Sequence, residues 1–272
     1  MKTDFSEAEM SAVAVITQDL LGGQVGHGIE RLRALKDEIH AAIPIKRRIG
    51  QGITWVVERI SKLLAAQGLP DEMLRELALS IYAQLEGNDL LVGTPIFLMA
   101  EYGVRHPGKV IGFFEKVACA DDWVAREFTA GAFRKIIGPN KEVVIPWLQK
   151  MAQSTDYKQR RFASETLRPV THNKWINQQP EYSLSVLQLL FKETHLYPRS
   201  SVGNNLSDMS RQQPELVFSL VNDLMASSDS NSHWIAYRAC RNLVKKEPRR
   251  VMDLLRVEEY HYKDRNFLRS KS

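Results

Sequence analysis

At 272 residues, with 44% hydrophobic and 25% charged side chains, the chain can form two domains or one repeat array, and its composition excludes a disordered or fibrous protein. No apolar run approaches the ~18 residues of a membrane-spanning helix, and the opening MKTDFSEAEM lacks the basic-then-apolar order of a signal peptide; a cytoplasmic protein without a membrane partner is expected. The net charge of +5 is uneven: residues 1–120 hold 13 Lys+Arg against 15 Asp+Glu, residues 121–272 hold 24 against 17, so a nucleic-acid-like basic excess belongs to the C-terminal part alone.

Residues 10–21 are apolar and amphipathic, and a run of glycines from Gly22 to Gly28 interrupts them. Helical spacing resumes over 29–42 (Ile29, Leu32, Leu35, Ile39) and again over 53–66 (Ile53, Val56, Val57, Ile60, Leu63, Leu64). The glycines follow no strand pattern and lack a phosphate-binding lysine–hydroxyl pair, so they read as a turn. Gly68-Leu69-Pro70-Asp71 is a stop-and-start signal with Asp71 as the expected N-cap. Residues 1–70 are therefore taken as an N-terminal helical cap or clamp, and 71–272 as the repeat region. Further helices are predicted over 72–85, 95–104 and 107–118. Pro139, Pro169, Pro180, Pro198, Pro214 and Pro248 then mark helix boundaries, and no segment alternates as a strand would.

Four windows repeat one pattern: 124–136 (VAREFTAGAFRKI), 158–170 (KQRRFASETLRPV), 197–209 (YPRSSVGNNLSDM) and 234–246 (WIAYRACRNLVKK), starting 34, 39 and 37 residues apart. That spacing suits one antiparallel helix pair per repeat. Phe133, Leu167, Leu206 and Leu243 share a register, with Thr129, Ala163, Val202 and Ala239 four residues before them on the same helical face. Arg126, Arg160 and Arg199 recur near the start of the same helix, as a ladder of phosphate contacts would. Asp121 and Asp122 read as helix caps. Cys119 and Cys240 are too few and too far apart for a metal site or disulfide framework, and read as buried inert thiols. The seven histidines show no metal spacing. The final stretch from His261 reads equally as a frayed end or a capping element.

These windows resemble the bacterial DNA alkylation repair glycosylases of the AlkC/AlkD type, with the AlkC branch the nearer. ValAlaArgGluPheThrAlaGlyAlaPhe at 124–133, ArgArgPheAlaSerGluThrLeuArgPro at 160–169, SerValGlyAsnAsnLeuSerAspMetSer at 201–210 and TrpIleAlaTyrArgAla at 234–239 carry the resemblance, in the expected order. It implies an all-α, right-handed superhelical solenoid of antiparallel helix pairs (HEAT-like repeats) with a basic groove for duplex DNA. It also implies excision of cationic N-alkylated bases such as 3-methyladenine, 3-methylcytosine or 7-methylguanine by a monomer that needs neither cofactor nor metal.

The chemistry of that reaction fits the residue types. Breaking an N-glycosidic bond builds positive charge on the sugar, and a cationic base leaves neutral without being protonated. The protein need supply only a carboxylate that stabilises the sugar cation and orients a water. Glu127, Glu165 and Asp208 lie in the matched windows as candidate catalytic acids, and the resemblance implies that they line the lesion site. Trp175 is the implied lesion-stacking residue, although ValThrHisAsnLys separates it from the Arg168-Pro169 pair that it should follow closely. Arg126, Arg160, Arg161, Arg199, Arg238, Asn204 and Asn205 are the candidate DNA contacts. Two alternatives stay open: a non-catalytic binder of duplex or branched DNA, expected to lock Glu165 and Asp208 in ion pairs, and a protein–protein scaffold.

Overall fold

The structure, a computed structural model, describes residues 5–85, 87 and 89–261. It is all-α, with no strand among the described residues. The chain divides into two compact units, Met1–Asn140 and Lys141–Ser272. The helices on either side of Pro70 both pack on a third in the first unit, so the packing boundary falls at Asn140/Lys141.

The first unit holds α1 (Glu7–Leu21), α2 (Val25–Ala42), α3 (Ile53–Ala65), α4 (Asp71–Ala83), α5 (Gly93–Arg105), α6 (Pro107–Ala118) and α7 (Trp123–Ile137). Helix α5 is buried almost all round, from Gly93 through Ala100 and at Tyr102 and Gly103. It lies between α3 and α7, with α4 and α6 forming a second layer. Gly93 permits this closeness, since a Cβ there would come within 2.6 Å of the Val57 side chain. The Gly22–Gly28 run is a helix–helix turn, with Gly23 at φ +84°, as its residues suggest. Helix α2 nevertheless starts four residues before the predicted Ile29. Gly28 lies inside it because a Cβ would strike Leu20 at 2.7 Å, so the contact of α1 with α2 overrides glycine's poor helix propensity. Asp71 is the first residue of α4, not its cap. Pro70 takes the cap position, and the Asp71 carboxylate accepts from Arg105 at 2.5 and 2.9 Å and meets His106 at 2.8 Å.

The first helix is tied down by Glu9, which accepts from Arg59 Nε at 2.6 Å and Nη2 at 2.7 Å and closes a capping box with Ser6. The Arg59 guanidinium holds the Glu9 carboxyl at about 2. A depressed carboxylate contributes stability above its ordinary value, and that contribution is lost as pH falls toward 2. Chemical unfolding between pH 5 and 2 should therefore show wild type losing more stability than Glu9→Gln, which has no such carboxylate to protonate. Parallel curves would remove Glu9 from the account.

The second unit holds α8 (Lys141–Ala152), α9 (Tyr157–Thr166), α10 (Pro180–Leu187), α11 (Leu196–Met209), α12 (Pro214–Ala226), α13 (Ser230–Ala239) and α14 (Pro248–Leu255). Helices α9, α11 and α13 pack side by side, and α8, α10, α12 and α14 supply the second layer. Two positions expose the repeat. Helices α6, α8, α10, α12 and α14 begin at 107, 141, 180, 214 and 248, and four of them open on proline after a residue with φ near −130° and ψ near 60°. The caps Asp122, Asp156, His195 and Asp229 each accept from the backbone N–H two residues later. Both series advance by 34 residues except for one step of 39. The five extra residues fall between Asp156 and Pro180, where a 3-10 segment, Thr171–Asn177, carries Trp175.

The caps also correct the fourth window. Aligned on Asp229, that window begins at Asn231, three residues before the sequence match at Trp234. Ala236 and Cys240 therefore stand where Ala239 and Leu243 are expected. All four are buried, because residues three apart share a helical face; the apolar pattern cannot separate the two registers and the polar cap can. Burial pushes the Cys240 thiol up to about 12, in keeping with an inert core thiol, whereas Cys119 is half-buried. After α14, Tyr260 stacks on Tyr237 at 4.4 Å and donates to its carbonyl oxygen at 2.9 Å. The predicted tail from Tyr262 lies outside the described residues. No helix among the described residues is long and apolar enough to cross a membrane.

Candidate active site

The α9 and α11 helices bring two of the three candidate acids onto one guanidinium. Arg168, just beyond α9, donates Nη1 to Glu165 Oε1 at 3.0 Å and both Nε and Nη2 to Asp208 Oδ2, at 2.9 and 2.5 Å. Burial opposes the Arg168 charge, but the Glu165 and Asp208 carboxylates outweigh it and hold the guanidinium above the ordinary arginine value. Glu165 is buried and its second oxygen accepts from Ser201 Oγ on α11 at 3.0 Å, with Arg161 at 3.8 Å. Asp208 is half-buried. Its Oδ1 is approached by Arg211 Nη2 at 3.6 Å, beyond hydrogen-bond reach, and Arg211 is exposed. The two carboxylates thus share a cation but differ in their second oxygen: that of Glu165 is hydrogen-bonded inside the protein, whereas that of Asp208 has only the more distant Arg211. Glu127 is exposed on α7, in the first unit.

Beside this pair the α11–α13 contact is polar. Gly203 lets α13 cross closely, since a Cβ there would meet Arg238 Cβ at 2.8 Å. Asn204 Oδ1 accepts from Arg238 Nε at 2.9 Å and Arg241 Nη1 at 2.8 Å. Asn205 is buried and donates to the Ser164 carbonyl at 2.9 Å, which joins α11 to α9. Arg161 lies 4.3 Å over the Tyr197 ring, and Arg199 lies 4.7 Å over Trp234 while donating to Asn231. Burial pushes the Arg199 guanidinium down.

The arginine register has an internal explanation. Arg126 Nη1 donates to the carbonyls of Ala120 and Asp121 at 2.6 and 2.8 Å, and Arg160 Nη1 to those of Ser154 and Thr155 at 3.0 and 2.9 Å. In each case the acceptors lie six and five residues back, where the preceding helix has ended and its carbonyls lack partners. His233, four residues after its cap like the arginines, meets the Ser227 carbonyl at 2.6 Å, again six residues back. At Arg126, Arg160 and His233 the recurring side chain staples the preceding connection, whereas Arg199, at the same register, donates to Asn231 instead. Arg160 also makes a two-point pair with buried Glu193, at 2.6 and 3.0 Å.

Trp175 is half-buried and faces a cation of the chain itself. Lys141 Nζ lies 5.1 Å from its ring and 5.0 Å from that of Tyr182, which meets Trp175 edge-on. The indole N–H points to Asn173 Oδ1 at 3.3 Å, and Asn173 donates to the Thr166 carbonyl, so the inserted segment is anchored to the end of α9. No group of three or more His, Cys, Asp or Glu side chains capable of holding a metal occurs among the described residues.

Sequence reasoning missed Arg168 as the centre of the site. Its i, i+3 spacing from Glu165 was a usable signal, whereas its partner Asp208, forty residues on, was not.

No family model matches the sequence. The chain is 27% identical over 164 residues to YhaZ of Bacillus subtilis (strain 168); the match covers 58% of this chain and 43% of that relative, so less than half the relative's length is represented. Two solved structures share the fold. One is the alkylpurine DNA glycosylase AlkC of Pseudomonas fluorescens bound to DNA containing an abasic site analog (TM-score 0.57, 21% identity, 88% of this chain, 68% of that one). The other is AlkD2 of Streptococcus mutans (TM-score 0.59, 21% identity, 78% of this chain, 96% of that one). The all-α helical-repeat fold of the AlkC/AlkD type is thereby shown.

Proposed function

We propose that the chain is a DNA glycosylase for cationic N-alkylated bases, with Asp208 as the acid that acts at the sugar. The observation that carries this reading is the pairing of Glu165 and Asp208 on Arg168, in which Asp208 Oδ2 takes both Arg168 bonds and Oδ1 has only the exposed Arg211 at 3.6 Å. In this reading a DNA phosphate draws exposed Arg211 away, and Oδ1 orients a water on the sugar and stabilises its developing charge. Arg168 aims Asp208, and Glu165, hydrogen-bonded on both oxygens, positions Arg168. Arg211, Arg238, Arg241 and Asn204 supply phosphate contacts. The departing base carries its own positive charge, so no proton donor is required.

Release of free base from duplexes carrying 3-methyladenine or 3-methylcytosine, with chelator and at moderate salt, tests the proposal. Release well above the spontaneous rate is expected, with none from unmodified DNA.

One observation favours a second reading, a DNA-binding repeat protein without catalysis: both acids are ion-paired, as such a protein would require. Tight, salt-sensitive duplex binding with no base release from either lesion would establish it.

A further inference from the structure

Among the described residues, the two most exposed large apolar side chains belong to a single turn of the first unit. Ile45 is 80% and Ile49 97% exposed. Between them stand Lys46, Arg47 and Arg48, and no acid occurs from Ile39 to Val57, although residues 1–120 as a whole carry more acids than bases. The turn is a built element. A 3-10 helix, Ile45–Arg47, follows Pro44, and the Gly50 and Gln51 N–H groups donate to the Arg47 carbonyl at 3.0 and 2.9 Å. Arg48 is folded back onto the carbonyls of Ile43 and His40, at 3.1 and 3.5 Å, which close the end of α2. Lys46 and Arg47 are left exposed. Arg47 borders a groove of about 460 Å³ that also holds Glu38 and Glu9, the latter already neutralised by Arg59.

We infer that this turn is a minor-groove wedge: Ile45 and Ile49 press between base steps of duplex DNA while Lys46 and Arg47 hold the flanking phosphates. The inference rests on the DNA-binding reading proposed above. Burying exposed isoleucines against bases is favourable, and the exposed cations beside them suit flanking phosphates rather than an apolar protein face. A turn with only two apolar side chains has too little buried surface to hold a membrane on its own, which leaves the nucleic acid as the occupant that fits both halves of the pattern.

The full chain is titrated by fluorescence anisotropy with an unmodified duplex containing 2-aminopurine, over a range of salt. The variant K46A/R47A should reduce the slope of log Kd against log salt by about 1.8, the value for two phosphates. The variant I45A/I49A should weaken binding about tenfold at unchanged slope and abolish the 2-aminopurine brightening that accompanies unstacking. All four side chains are exposed, so thermal unfolding should not move. Wild type that fails to bind any duplex overturns the DNA reading and the wedge together. Wild type that binds, with both variants matching it in Kd, slope and brightening, overturns the wedge alone. Variants that lose only binding to anionic vesicles, or only self-association, also overturn it.

Discussion

Arg160→Ala destabilises the second unit by about 3–5 kcal/mol while leaving the chemistry of the site untouched. The cost is that of breaking a buried ion pair from one side, which strands the other charge. Glu193, 4% exposed at its side chain, would lose its two-point partner and keep only the His195 N–H at 2.8 Å. The carbonyls of Ser154 and Thr155 would lose their donor as well. The deficit should also depend on pH. In wild type, burial would raise the Glu193 carboxyl, but the Arg160 guanidinium and the His195 N–H outweigh it and hold it below the usual range. Such a group contributes stability above its ordinary value and loses it as pH falls through the folded value. In the variant burial is opposed by the His195 N–H alone, so Glu193 protonates more readily and the gap to wild type narrows as pH falls. Denaturant unfolding at pH 7 and pH 4.5 measures both effects. An unchanged midpoint, joined to weaker and less salt-sensitive duplex binding, would instead make Arg160 the phosphate contact that its register suggests.

In the proposed glycosylase reaction, Asp208→Asn should lower the single-turnover rate of base release by about 10²–10³-fold, the scale on which removing one preorganised electrostatic partner of a transition state is felt. The amide keeps the shape of the side chain, so duplex binding should stay within about twofold, with some stability lost as the two Arg168 bonds weaken. Glu165→Gln should behave differently. Glu165 is hydrogen-bonded to Arg168 and Ser201 inside the protein, and the amide weakens charge-assisted bonds that are each of order 1.5–3 kcal/mol. Stability therefore falls clearly, and the rate falls through misplacement of Arg168 rather than through loss of a reacting group. Equal rate losses without any loss of stability in Glu165→Gln would place both carboxylates at the sugar.

How far the chain is legible from its sequence varies with the kind of feature. Helices, their punctuating prolines and the cap at Asp122 follow from local chemistry, and the matched windows led to the candidate acids Glu165 and Asp208. The fourth window slipped by three residues because apolar spacing tolerates that shift, and the cap that corrects it, Asp229, lies outside the apolar pattern. The arginine ladder was visible, but its use was not: a cation recurring once per repeat serves a ligand or a carbonyl equally well, and the carbonyls at Ala120 and Ser154 emerge only once the connections are folded. Trp175 stands in a five-residue insertion that breaks the repeat, and its partner Lys141 precedes it by thirty-four positions. Long-range pairs such as Arg160–Glu193 and Arg168–Asp208 leave no local trace.

In the reaction proposed, the lesion's own charge replaces a proton donor and a carboxylate suffices. It is tested most directly by comparing duplexes that differ only in that charge, one with 3-methyladenine and one with its neutral 3-deaza isostere, at saturating protein and neutral pH. Both duplexes should bind alike, and only the cationic base should be released. Release of the neutral base at a comparable rate would require a general acid and contradict it.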